Sequence, residues 1–157
     1  PSVARWNMAT GEINPMPYEY PDLKKVRFIY TASAEHQLYV QCYTQYDLMT
    51  ICDFNGNLKC NIYGPKWVNE KTQTQHYSLG VEFCGDKILA LYSGGDHRTD
   101  AYYPTKFLVF DLNGNYLKTL ETGYMITDFC YDKENNRLII NLNDEIQFAY
   151  LDLEGII

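Results

Sequence analysis

Short apolar and aromatic segments alternate with clusters of turn-forming residues along most of this chain. Branched and aromatic side chains pack well on the pleated surface of a sheet, so segments of this kind are typical of β-strands. The pattern predicts an all-β protein with antiparallel strands over 26–33, 37–43, 77–84, 87–92, 125–131 and 137–142.

A turn motif, Asp-x-x-Gly between apolar flanks, recurs along the chain. Asn-Gly is a strong hairpin signal, because a type I′ turn requires positive φ at both central residues and these residues tolerate it best. Each copy therefore predicts a strand, a tight turn and a returning strand. The copies span 51–59, 109–118 and 150–155, with a degenerate fourth over 5–12.

The first hairpin also predicts a register. A two-residue turn pairs Ile51 with Cys60 and Cys52 with Lys59, which places the two cysteines on opposite faces of the sheet. All five cysteines of the chain lie in apolar runs without metal-site spacing. We expect them to be free thiols that act as small hydrophobic side chains.

Two further strands precede each Asp-x-x-Gly turn, so the repeating unit is a four-stranded antiparallel sheet. Such a sheet, repeated without intervening helices, is typical of β-propeller blades, and the third repeat falls within the roughly 40–50 residues of known propeller repeats. The predicted fold is a single β-propeller segment of about three and a half blades. Its parts are the outer strands of a partial blade (1–20), two blades (26–63 and 77–121) and a partial blade (125–157).

A chain of this length is too short to close a propeller ring by itself. The sequence therefore predicts either one part of a larger propeller that lacks its N-terminal blades, or a homodimer in which two copies complete each other's sheets.

Three stretches of the sequence resemble a known family: Phe-Asp-Leu-Asn-Gly-Asn-Tyr-Leu-Lys at 110–118, Ile-Thr-Asp-Phe-Cys-Tyr-Asp at 126–132 and Asn-Arg-Leu-Ile-Ile-Asn at 136–141. They resemble the TolB-like six-bladed propellers of Bacteroidetes and NHL-type repeats, and the likeness covers 26–155 in outline. The resemblance implies a six-bladed ring, a binding or scaffolding role, and an exported lipoprotein in the periplasm or on the outer surface.

Composition and charge narrow the classes of partner. Apolar residues make up 46% of the chain and aromatic residues 15%, which indicates a packed core rather than disorder. The formal charge of −7 and the absence of a basic cluster argue against nucleic acid as a partner. No apolar stretch approaches the roughly 20 residues of a transmembrane helix.

Two long segments, 64–76 and 93–105, separate the predicted strands and are the expected recognition surfaces, because insertions in repeats form exposed loops. Their aromatic side chains suit stacking on a sugar or a peptide. The alternatives are aromatic side chains that fold back on the sheet and a local ion pair of Arg98 with Asp96 or Asp100. The candidate ligand-binding residues are Trp67, Asp96, His97, Arg98, Tyr102 and Tyr103.

Glu82 and Asp128 occupy similar positions on the first strands of consecutive predicted blades, which line the central channel in propellers. Carboxylates placed in this way can hold Ca²⁺, as in metal-dependent propeller lactonases. No nucleophile–histidine arrangement or phosphate-binding loop accompanies them. The sequence predicts a non-enzymatic module that binds a protein, peptide or glycan, and a metal-dependent hydrolase or lactonase is the alternative.

Overall fold

The computed structural model describes residues 4–15, 23 and 26–157, and within them the protein is all-β. The only helical segment of this described part is a short 3-10 helix over Asp100–Tyr102. No helix in these ranges is long and apolar enough to cross a membrane.

The described strands form one hairpin and three larger antiparallel sheets, in which neighbours along the chain are neighbours in the sheet. The hairpin consists of β1 (Ala4–Trp6) and β2 (Ile13–Pro15). The first sheet consists of β3 (Phe28–Ser33), β4 (Leu38–Tyr43), β5 (Leu48–Asp53) and β6 (Leu58–Tyr63). The middle sheet consists of β7 (Thr74–Cys84), β8 (Lys87–Asp96), β9 (Lys106–Asp111) and β10 (Tyr116–Glu121). The third sheet consists of β11 (Ile126–Asp132), β12 (Arg137–Leu142) and β13 (Phe148–Asp152).

The four-stranded antiparallel sheets are blade-like, as the sequence predicted. The first strands of consecutive sheets, β3, β7 and β11, lie next to one another. The predicted partial blade over 1–20 coincides with the β1–β2 hairpin only in part, because 1–3 and 16–20 lie outside the described residues.

Strand β8 of the middle sheet is buried on both faces, and its successive side chains point to opposite sides of the sheet. From β8, Ile88 and Ala90 pack against the first sheet, whereas Leu89 and Leu91 pack against the third. Two apolar cores result, one on each side of the middle sheet.

The two Asn-Gly turns have the same hydrogen bonds, but they are not type I′ turns. The carboxylate of Asp53 accepts the N–H groups of Asn55 (2.8 Å) and Asn57 (2.9 Å). Asp111 accepts those of Asn113 and Asn115, both at 2.9 Å. At the first turn only the glycine, Gly56, has positive φ, at 88°.

This turn changes the predicted register by one residue. Ile51 pairs with Cys60 as predicted, but Cys52 pairs with Leu58 rather than with Lys59. The aspartate-capped turn is followed by a β-bulge, which a two-residue hairpin would lack. No disulfide joins any two of the five cysteines, all of which lie in the described residues. Cys42, Cys52 and Cys84 are buried like small hydrophobic side chains, whereas Cys60 is half-buried and Cys130 is exposed.

Parts of the two long segments are strand rather than loop. β7 begins at Thr74 and β8 continues to Asp96, so both strands run beyond the predicted 77–84 and 87–92. The extension contains bulges between Gln75 and Val81, where the hydrophobic alternation that defines a strand in sequence is interrupted.

Candidate functional site

A cavity of about 360 Å³ opens between the first and middle sheets. We call it the wedge cavity, since it lies where the outer strand β6 faces β9 and β10. Its volume falls within the roughly 300–1,000 Å³ of small-molecule sites. It is lined by Asp47, Ile62, Tyr63, Gly64, Pro65, Tyr77, Tyr92, Lys106, Leu108, Phe110, Tyr116 and Thr119.

The Asn113–Gly114 turn of the middle sheet contacts the outer strand of the first sheet beside this cavity. A Cβ atom on Gly114 would lie 2.8 Å from the Cys60 sulfur and 2.9 Å from Ile62, and the Cys60 thiol donates to the Asn113 carbonyl at 3.5 Å. Glycine is therefore required at this turn both for its φ of 86° and for the close approach of the two sheets.

Asp47, immediately before β5, contributes a buried carboxylate to the cavity wall. Its Oδ2 accepts the N–H of Lys66 at 2.9 Å, and its backbone carbonyl accepts the N–H of Gly64 at 2.8 Å. A Cβ atom on Gly64 would lie 2.2 Å from the carboxylate, so only glycine leaves room for it. Among the described residues Oδ1 has no hydrogen-bond partner, and His76 Nδ1 lies 3.8 Å from it.

His76 and Tyr92 complete a buried polar group that we call the Asp47–His76–Tyr92 cluster. These residues are 1%, 1% and 8% exposed in the order of the name, and His76 Nδ1 lies 3.2 Å from the Tyr92 hydroxyl. Burial lowers the pKa of His76; Asp47 opposes this effect and Lys66 adds to it. Burial and the Asp47 charge raise the pKa of Tyr92. The cluster therefore holds a neutral imidazole and a neutral phenol beside a carboxyl group at neutral pH.

Lys106, the first residue of β9, adds an ammonium group to the cavity lining. Its Nζ lies 5.9 Å from the centroid of the Tyr92 ring and 4.0 Å from Glu121 Oε2. Within the described chain this ammonium donates no hydrogen bond to a protein acceptor. Near it, the Tyr116 hydroxyl and the Thr119 hydroxyl are hydrogen bonded to each other at 2.8 Å.

The two long segments meet beside the cavity. The N–H of His97 donates to the Gln73 carbonyl at 3.1 Å, and His97 Nδ1 lies 2.9 Å from the same oxygen. The Lys66 ammonium reaches the Gly94 carbonyl at 3.4 Å. Residues that the sequence assigned to two separate loops thus form one surface.

Trp67 folds back onto the first sheet. Its ring centroid lies 4.7 Å from that of Tyr63 and 6.1 Å from that of Tyr46, and the side chain is half-buried against the small apolar group around Tyr43 and Leu48. This geometry is the packing alternative considered for the loop aromatics.

The polar candidates of the second segment make local contacts. Arg98 Nη2 donates to Asp96 Oδ2 at 2.6 Å, and this hydrogen bond lowers the pKa of Asp96. The Tyr102 and Tyr103 rings lie against each other with centroids 4.2 Å apart. The Asp96–Arg98 pair matches the local ion pair that was weighed against a ligand site.

Glu82 and Asp128 line one shallow cavity together with residues of β3 and β7. Burial raises the pKa of Glu82, and the charge of Asp128 adds to this rise. Their positions in the strands are not equivalent: Glu82 pairs with Leu89, the third residue of β8, whereas Asp128 pairs with Asn141, the fifth of β12. Among the residues that the structure describes, no three His, Cys, Asp or Glu side chains converge to hold a metal.

The sequence interpretation missed the wedge cavity. Asp47, His76 and Lys106 come from three segments of the chain, and neither charge pattern nor spacing connects them before the sheets are stacked. The one local signal is Gly64-Pro65, which follows β6 and would have indicated a close backbone approach.

No protein-family model matches the chain, and no curated protein matches it.

Proposed function

We propose that this chain is part of a β-propeller and serves as a non-enzymatic binding module. The wedge cavity and the adjoining surface of the two long segments form its ligand face. The observation that carries the proposal is a cavity of about 360 Å³ whose lining includes a buried carboxylate and an ammonium that has no hydrogen-bond acceptor among the described residues. The blade-like sheets and the likeness to TolB-type repeats support the propeller and its role in binding a protein, peptide or glycan.

The groups that line the cavity favour recognition over catalysis. They are aromatic faces, one carboxylate, one ammonium and paired hydroxyls, the usual mixture in a mostly apolar ligand site. The titratable imidazole, His76, lies beneath this lining with its pKa lowered by burial.

Amide chemical-shift mapping of the full chain tests the proposal. A mixed panel of short peptides and oligosaccharides is titrated into the labelled protein, and we expect shifts concentrated at Tyr63, Lys106 and Thr119. Lys106→Met should weaken these shifts, and its matched control is Lys87→Met. Lys87 lies at the start of β8 and pairs with Asp86 outside the cavity. Shifts confined to the third sheet, or none with any panel member, would contradict the proposed face.

A metal-dependent hydrolase is the second candidate, favoured by the proximity of Glu82 and Asp128. Calcium that binds only the folded protein would raise its melting temperature. Under this alternative, the rise is expected in the parent chain and disappears in Asp128→Asn. An unchanged melting temperature in calcium would leave the binding module as the better proposal.

The state of assembly is a separate part of the proposal. Either further blades elsewhere in the protein or a second copy of this chain completes the ring. Light scattering distinguishes them, since a second copy gives a particle of twice the 18.3 kDa chain mass.

A further inference from the structure

The wedge cavity presents both signs of charge to whatever enters it. Asp47 lies in its wall, where the carboxylate is held by the Lys66 N–H. Lys106 is also part of the lining, and Glu121 Oε2 lies 4.0 Å from its ammonium. The lining therefore carries one charge of each sign and no net charge, so charge alone favours neither a cationic nor an anionic ligand.

The remaining lining is rich in flat rings. Tyr63, Tyr77, Tyr92 and Tyr116 all border the cavity, and Phe110 adds a fifth ring. Tyr63 and Tyr116 are more than half exposed, at 52% and 57%. Exposed tyrosines give an apolar face for stacking together with a hydroxyl that can donate or accept.

The polar groups are spaced around these rings rather than gathered at one point. The Lys106 ammonium can donate, and the Tyr116–Thr119 hydroxyl pair can both donate and accept. A ligand that fits must therefore have an apolar face and several neutral groups that both donate and accept hydrogen bonds.

We propose that the wedge cavity binds a neutral sugar ring, as a monosaccharide or as one unit of a glycan. The C–H face of the ring stacks on Tyr63 or Tyr116, while its hydroxyls accept from Lys106 and exchange hydrogen bonds with Thr119. This inference deepens the proposed binding function and rests on it. It selects one ligand class and places recognition between two sheets rather than on Trp67, Asp96 or Tyr102.

The test is amide chemical-shift mapping of the full chain with four separate probes. The first is a set of neutral methyl hexopyranosides and their β-linked and α-linked disaccharides. Cadaverine represents cationic ligands, benzoate represents anionic ligands with a flat ring, and an uncharged tetrapeptide represents peptides. We expect the sugar set to shift the amides of Tyr63, Lys106 and Thr119, and the other probes to leave them in place.

Two conservative variants measure the polar contacts. Lys106→Met keeps the aliphatic stem and Thr119→Val keeps the shape, and each should weaken sugar binding about tenfold, the effect of losing one hydrogen bond to a ligand. Lys87→Met and Thr31→Val are the matched controls outside the cavity and should bind as the parent does. A circular dichroism melt confirms that each variant is folded.

The outcomes separate this inference from the function on which it rests. Shifts at the cavity with cadaverine, benzoate or the tetrapeptide, and none with sugars, overturn the sugar inference but keep a binding module. No shift at the cavity with any probe overturns both. Sugar shifts that survive Lys106→Met and Thr119→Val unchanged place the sugar elsewhere and also overturn the inference.

Discussion

Where the first and middle sheets meet, the backbone carbonyl of Asp47 accepts the N–H of Gly64 at 2.8 Å; where the middle and third sheets meet, Thr105 accepts that of Thr122 at 2.9 Å. The next strand adds one backbone hydrogen bond at each place. The N–H of His76 donates to the carbonyl of Thr44, three residues before Asp47, and that of Ile126 donates to the carbonyl of Pro104, one residue before Thr105. The two interfaces therefore share a backbone plan that differs in the spacing of its acceptors.

The side chains on this plan differ. The Asp47–His76–Tyr92 cluster of the first interface is replaced at the second by Thr105, Ile126 and Leu142. Tyr92 and Leu142 are each the sixth residue of their strands, β8 and β12. A cavity of about 560 Å³ opens at the second interface too, and its wall combines apolar side chains such as Leu142 and Ile146 with the polar side chains of Glu121 and Thr122.

The comparison shows that the fold does not require a polar cluster between sheets. Buried polar groups are costly unless they are hydrogen bonded, and apolar side chains of similar size often stabilise as well or better. The first interface therefore retains a cluster that the sheet stacking alone does not explain, which is consistent with a specialised role for the wedge cavity.

The largest loss of stability is expected for Asp47→Ala. This change leaves the Lys66 N–H without its acceptor and opens a space beside His76, so the free energy of unfolding should fall by about 3 kcal/mol, typical of breaking a buried charged network. Urea unfolding measures it. Thr105→Ala, the equivalent change at the second interface, should cost less than about 1 kcal/mol.

A graft of the second interface onto the first tests the comparison directly. The triple variant Asp47→Thr, His76→Ile and Tyr92→Leu should be more stable than Asp47→Ala alone, because it also replaces the buried imidazole and phenol that Asp47→Ala leaves beside an empty space. If the triple variant proved the less stable of the two, the cluster would be a structural requirement and the comparison would fail.

The next effect is expected for Gly64→Ala. The added Cβ would lie 2.2 Å from the Asp47 carboxylate, and relief of this clash should cost about 2 kcal/mol. Gly123→Ala is a useful contrast, since no atom lies within 4 Å of its Cβ position and any cost there comes from its φ of 75°. In Gly64→Ala combined with Asp47→Ala, most of the steric cost should disappear; additive losses would contradict the clash.

A smaller effect is expected on the pH dependence of stability, through His76. The pKa of His76 is lower in the folded protein than the ordinary value of 6.5, so the folded state binds fewer protons there than the unfolded state. The contribution of His76 to the free energy of unfolding should therefore be fully present above pH 6.5, and it should be lost as pH falls from this value towards the lowered pKa. In His76→Ile, the urea midpoint should change less with pH below 6.5 than it does in the parent protein. A parent protein equally stable throughout it would count against a buried neutral imidazole.

The smallest effect is expected at the two exposed turns. Hydrogen bonds from Asn57 and Asn115 lower the pKa values of Asp53 and Asp111. Their contribution to stability is present above the ordinary aspartate pKa of 3.8 and is lost as pH falls through the lowered values. Asp53→Ala and Asp111→Ala should each reduce the acid dependence of the urea midpoint by a similar amount. A marked difference between them would show that the turns are not equivalent.

Local sequence was sufficient for the strands and insufficient for the site. The predicted strand over 137–142 has its observed bounds, because hydrophobic alternation and turn residues are local signals. The register beyond Ile51 was wrong by one residue, because the Asp53 side chain and not Asn-Gly alone determines the turn.

The wedge cavity, unlike the strands, could not be predicted from local sequence. Its charged groups, Asp47 and Lys106, belong to different sheets and approach only when those sheets stack. The loop residues singled out by sequence instead contact residues that are near them in the chain: Arg98 pairs with Asp96, and the Trp67 ring packs on Tyr63. Polarity in a loop is visible in sequence, whereas a polar wall between stacked sheets is not.

Within the described part of the chain, every pairing between the thirteen strands joins consecutive segments. Strand formation therefore needs no distant partner, and as residues leave the ribosome each sheet can form from successive hairpins before the next is made. On this route the first sheet's face towards the middle sheet stays bare until β7 and β8 have been synthesised. Nascent chains stopped between Tyr63 and Tyr92 would then be the ones that need a chaperone.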